Sequence, residues 1–143
     1  MNQHQTAYER MGGEKTVRQL VDRFYDLMDQ QPELEKLRQL HAKSLKMSRE
    51  KLFLFLSGWF GGPDLYVQKY GHPRLRARHL PFSIGIEERD QWIHCMRQAM
   101  SDLGLEARLQ EELYQAFFKT ADFMRNRPEL DQDKTFKIMP ADK

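Results

Sequence analysis

The 143-residue chain fits a single domain, and its 40% hydrophobic and 31% charged residues exclude both a disordered chain and a fibrous one. A formal net charge of +2 nominates no polyanionic partner, and the lone cysteine, Cys95, closes no intramolecular disulfide. The opening MNQHQTAYER has no apolar leader, and LFLFLSGWF at 52–60 is about half the ~20 residues of a membrane span, so the expectation is a cytoplasmic protein with no membrane partner.

A short first segment ends at Met11, where Gly12-Gly13 breaks the backbone. Val17, Leu20, Val21, Phe24 and Met28 then recur at helical spacing and predict an amphipathic helix over 14–29. Pro32 suits the first turn of a shorter helix carrying Leu34, Leu37 and Leu40, after which HAKSLKM reads as a connection. Ser48 is a good cap, so the next helix is expected to start there and run through Leu52, Phe55, Leu56 and Trp59 to the stop at Gly61-Gly62-Pro63. From Gly61 to Ser83 no helical period survives, although Leu65, Tyr66, Tyr70, Leu75, Leu80 and Phe82 supply anchors; a loop this long in a small domain is functional or disordered, and the anchors favour function. Helix returns over 87–103, with Ile86, Ile93, Met96 and Met100 on one stripe, and again over 106–125, with Leu109, Leu113, Phe117, Ala121 and Met124. Residues 128–143 are polar and aperiodic and are expected to form a frayed tail behind a domain spanning 1–127. No strand pattern occurs, so the expectation is all-α.

Local motifs exclude several chemistries. The histidines, His4, His41, His72, His79 and His94, have no zinc-like spacing, one cysteine builds no thiolate cage, and no phosphate-binding glycine loop or serine-hydrolase elbow is present. One imidazole is enough, however, when a cofactor brings the other ligands, as an iron porphyrin does with its pyrrole nitrogens. GHPRLRARHLPF at 71–82 has the parts: His79 for the metal, Arg74, Arg76 and Arg78 for carboxylates, and Leu75, Leu80 and Phe82 to border a flat ring. Two other readings of the stretch stand beside this one. The arginines form a solvated face with His79 packed against a helix, or RLRAR with Tyr66, Tyr70 and Phe82 binds a single-stranded nucleic acid. Against the latter, the cations are confined to one loop, so no nucleic-acid partner is expected.

Four blocks in order, FYDLM at 24–28, WFGGPDLY at 59–66, GHPRLRARHLPF at 71–82 and ERDQWIHCM at 88–96, resemble the group II truncated haemoglobins over about residues 6–126. The resemblance implies a truncated globin-like two-over-two helical sandwich around haem b, with an extended loop in place of most of the proximal helix. Gly12-Gly13, Gly61-Gly62 and Gly71 match the turn positions of that family. It further implies His79 as the axial ligand of the haem iron and Arg78 at a propionate, with Lys51 a second candidate. Tyr66, Leu75, Phe82, Phe55 and Met96 then neighbour the haem. On the distal side it implies Tyr25 and Trp92 as donors to the ligand, with His41 joining them directly or through water, although Leu40 competes for that register. Ser48 is the small gate and Leu52 the apolar lid. The implied function is reversible binding of O2 and other diatomics. The alternative is a haem redox enzyme of peroxidase or nitric oxide dioxygenase type, working on peroxide or nitrogen oxides with an external reductase. Internal ligation of ferric iron by Tyr25 or His41 is left open.

Overall fold

Thr6 starts the first helix, α1 (Ala7–Met11), by a reciprocal cap: the Glu9 N–H donates to Thr6 Oγ1 and the Thr6 N–H to Glu9 Oε1, both at 3.1 Å. The computed structural model describes residues 5–127; His4 and the expected tail over 128–143 lie outside the described residues. Gly12 at φ 118° and Gly13 at φ 77° then turn the chain through backbone that a side chain would strain. The second helix, α2 (Glu14–Gln30), buries Val17, Leu20, Val21, Phe24, Tyr25, Leu27 and Met28 along one side, as the 3.6-residue period requires. Pro32 opens a 3-10 turn, Pro32–Leu34, that runs directly into α3 (Glu35–Gln39).

Two expectations need correction. Helix α4 (Lys46–Trp59) starts two residues before Ser48, with Leu45 at its cap position and Ser44 Oγ accepting the Lys46 N–H at 3.3 Å. Ser48 therefore lies inside the first turn and caps nothing. The stretch read as irregular contains two short helices, α5 (Leu65–Tyr70) and α6 (Leu75–His79). Each is under two turns long, too short for a repeat of about 3.6 residues to register in a sequence. The remaining helices, α7 (Ile86–Asp102) and α8 (Ala107–Phe123), fall within a residue or two of expectation.

Helix α2 packs against both α4 and α7, and α7 packs against α8. The α2/α4 pair thus lies over the α7/α8 pair in a two-over-two sandwich. Leu20, Phe24, Met28, Leu56, Met96, Met100 and Leu109 are fully buried between the pairs. Cys95 shares this core; its thiol donates to the Phe24 carbonyl at 3.1 Å, and burial pushes it up to about 12, so it is an inert filler at neutral pH. Among the described residues there is no strand, and no helix is long and apolar enough to cross a membrane.

Candidate functional site

Helix α6 ends on His79, whose half-buried ring has Nδ1 2.7 Å from the Leu75 carbonyl oxygen one turn back. A carbonyl only accepts, so Nδ1 carries a proton, and in the neutral ring Nε2 is then the nitrogen with the lone pair that an imidazole needs to bind a metal. The residue before the helix, Arg74, is a non-glycine at φ 49°, so the segment carries backbone strain at its start.

Beside it, Tyr66 from α5 is buried and stands edge-on to Phe55 of α4 with centroids 6.2 Å apart. Tyr66 also meets Tyr70 at 5.0 Å. The Arg78 guanidinium lies 5.9 Å from the Tyr66 ring centre, and Lys51 Nζ lies 5.4 Å from that of Tyr70. With Lys69 Nζ 5.5 Å from the Tyr70 ring centre as well, three cations converge on one tyrosine pair, which suits a carboxylate-bearing edge. Arg76 donates to the main-chain carbonyls of Phe123 and Arg125 at the end of α8, and Arg78 Nε to that of Pro73 at 2.7 Å.

A second group of polar aromatics comes from α2, α7 and the α3–α4 connection. Tyr25 is 6% exposed. Burial first, and Cys95 second, push its phenol far above the ordinary range against a smaller opposing effect of Arg49, so it remains a hydroxyl donor. The His41 ring stands edge-on to Tyr25 with centroids 5.8 Å apart. Phe24 links the group, its ring 5.0 Å from Tyr25 and 5.1 Å from Trp92. Trp92 and Leu52 are half-buried against the core, Met96 is fully buried, and Ser48 is half-buried in the first turn of α4. Leu40 caps α3, and it is His41 next to it whose ring meets Tyr25. Phe82 is 42% exposed, on the surface side of the α6–α7 connection.

His41 Nδ1 lies 3.0 Å from the Leu37 carbonyl, so it too is the protonated nitrogen. Burial pulls His41 below its ordinary 6.5; the Leu37 bond opposes this, while Arg38 and His79 reinforce it. With Nδ1–H tied to the Leu37 carbonyl, a neutral His41 accepts at Nε2.

Sequence reasoning passed over Phe24, read as core within FYDLM, and Tyr70, read as an anchor without a role. It also missed Asn126, which holds the segment around His79 and whose partners lie 42 to 47 residues away along the chain. Nothing local in the sequence marks such a residue.

The profile of the bacterial-like globin family matches residues 6–126. A group 2 truncated hemoglobin of Bacillus subtilis (strain 168) is 41% identical over 122 residues, covering 85% of this chain and 89% of that protein. The chain belongs to the group II truncated haemoglobins. Among solved structures, the group II 2-on-2 hemoglobin of the plant pathogen Agrobacterium tumefaciens matches with a TM-score of 0.85 at 42% identity, over 90% of this chain and 100% of that one. The truncated oxygen-avid haemoglobin of Bacillus subtilis matches with a TM-score of 0.77 at 40% identity, over 85% and 99%. Membership of the truncated haemoglobins implies haem as the cofactor and small diatomic molecules as ligands. The residues fit that group on their own chemistry: an imidazole whose Nδ1–H is tied to a carbonyl, and cations at the Tyr66–Tyr70 pair, with Phe55 packed edge-on against Tyr66.

Proposed function

We propose that the chain holds haem b on His79 and reversibly binds O2 and other diatomics on the side faced by Tyr25, His41 and Trp92. The observation that carries this reading is the 2.7 Å bond from His79 Nδ1–H to the Leu75 carbonyl, which orients the ring and leaves Nε2 as the nitrogen that can bind a metal. Arg78 and Lys51 hold the propionates beside Tyr66, and Leu75, Phe55, Phe82 and Met96 border the ring. A cytoplasmic setting accords with a single, buried cysteine.

Haem, when bound, would supply an iron able to take a diatomic ligand. The chain's own groups decide how long that ligand stays. Tyr25 keeps its proton over the accessible pH range and donates from a buried hydroxyl, while the Trp92 indole N–H is a donor only. Donors preplaced in a water-poor pocket favour a ligand carrying negative charge over an uncharged one. Ser48, small and in the first turn of α4, leaves the entrance unblocked, and Leu52 one turn on closes over the pocket as an apolar lid. The Bacillus subtilis relative described as oxygen-avid is in line with this reading. Turnover of peroxide or nitrogen oxides would draw on the same donors but needs an external reductase, and steady-state assays with a cellular reductant distinguish it.

The test is the O2 dissociation rate. Each of Tyr25→Phe and Trp92→Phe removes one donor worth about 1–3 kcal/mol, so each should speed dissociation roughly ten- to hundredfold. Rates equal to wild type in both variants would remove their assigned role.

A further inference from the structure

The segment that presents His79 has little support of its own. Helix α6 is about one and a half turns long and buries none of its residues. The residues between His79 and Ile84 form no helix, and Pro81 among them lacks an N–H. One side chain from far along the sequence meets their main-chain groups. Asn126, just past the end of α8, donates from Nδ2 to the carbonyl oxygens of His79 at 3.2 Å and of Phe82 at 2.8 Å. Its Oδ1 accepts the Ile84 N–H, and its own N–H donates to the Ile84 carbonyl, both at 2.9 Å. Only one orientation of the amide satisfies all three side-chain partners.

The chain on either side of Asn126 is anchored as well. Arg76 holds the Phe123 and Arg125 carbonyls, and Arg127 pairs with the buried Glu88 at 2.9 Å. Gly85 makes room for this, because a Cβ there would run into the Arg127 guanidinium. The carboxyl end of α8 is thus a strap across the His79 segment, with Asn126 at its centre.

We propose that Asn126 is a positioning residue for the proximal ligand. Leu75 fixes the His79 ring through Nδ1, and Asn126 fixes the His79 carbonyl and the turn after it, so Nε2 is presented in one orientation. The inference rests on the reading of His79 as the iron ligand. Asn126→Asp tests it, because it keeps the size and the acceptor for Ile84 but removes both donors.

In the ferrous, ligand-free protein, Asn126→Asp is expected to shift or broaden the iron–histidine stretching band in resonance Raman spectra. It should also pass haem to excess apomyoglobin about tenfold faster, as the loss of two hydrogen bonds implies. Arg23→Met, which removes the distant Arg23–Asp102 ion pair, should leave the band where it is. In the haem-free protein, Asn126→Ala should speed hydrogen exchange at the Ile84 amide at least about tenfold, because its acceptor is gone. A wild-type band unmoved by Asn126→Asp, or an Ile84 amide indifferent to Asn126→Ala, overturns this inference alone. A wild-type protein with no such band overturns the ligand reading and this inference together.

Discussion

His41 and His79 share one feature: each ties its Nδ1 proton to a carbonyl one turn back, which leaves Nε2 as the reactive nitrogen. For His41 this fixes the sign of a pH effect. Its protonation falls below 6.5, chiefly because it is buried. On the proposed reading, neutral Nε2 donates nothing to a bound diatomic, whereas protonated Nε2 adds a donor beside Tyr25 and Trp92. O2 dissociation should therefore be flat above neutrality and slow as pH falls below 6.5, and His41→Phe should abolish the change; stopped-flow rates from pH 5 to 8 check this. Folding stability follows the same group with its own sign. Between the depressed folded value and 6.5 the unfolded chain binds more protons, so this contribution to stability is whole above 6.5 and is lost as pH falls below it. Tyr25, Trp92 and His79 could be singled out as candidates because each sits inside a dense local block of the sequence. The tautomers could not, since they depend on the carbonyls of Leu37 and Leu75 coming within reach of the rings.

Between helices, the α2–α4 contact is held partly by Arg49. It donates to the Asp22 carbonyl at 3.1 Å, to Asp22 Oδ1 at 3.2 Å and to Asp26 Oδ1 at 2.8 Å, and its guanidinium lies 5.9 Å from the Tyr25 ring centre. Its side chain is 29% exposed, so solvent screens the pairing, and Arg49→Met should cost only about 1 kcal/mol in urea unfolding. Long helices such as α2 and α8 were legible in the sequence because four or five turns repeat the same apolar stripe. Helices α5 and α6 were not, because six and five residues cannot establish a period. Ser48 misled for a related reason: a serine reads as a cap wherever it precedes an apolar run, and only the packing of Leu45, which is 7% exposed, moves the start forward.

Taken together, the molecule divides into a self-sufficient sandwich and a proximal segment that depends on others. Helices α2, α4, α7 and α8 supply most of the buried core, whereas α5 buries only Tyr66 and α6 buries no residue. The sandwich was legible from composition and period; the dependence of α6 on Asn126 and Arg76 was not, because it joins residues more than forty positions apart. On the proposed reading of His79, a haem that binds only the folded chain would stabilise it by mass action. The claim on which the rest stands is that His79 Nε2 is the protein's bond to the haem iron. The absorption spectrum of His79→Gly tests it most directly. The variant should lose the wild-type spectrum and regain it when imidazole is added, whereas a wild-type spectrum with no imidazole present would contradict the assignment.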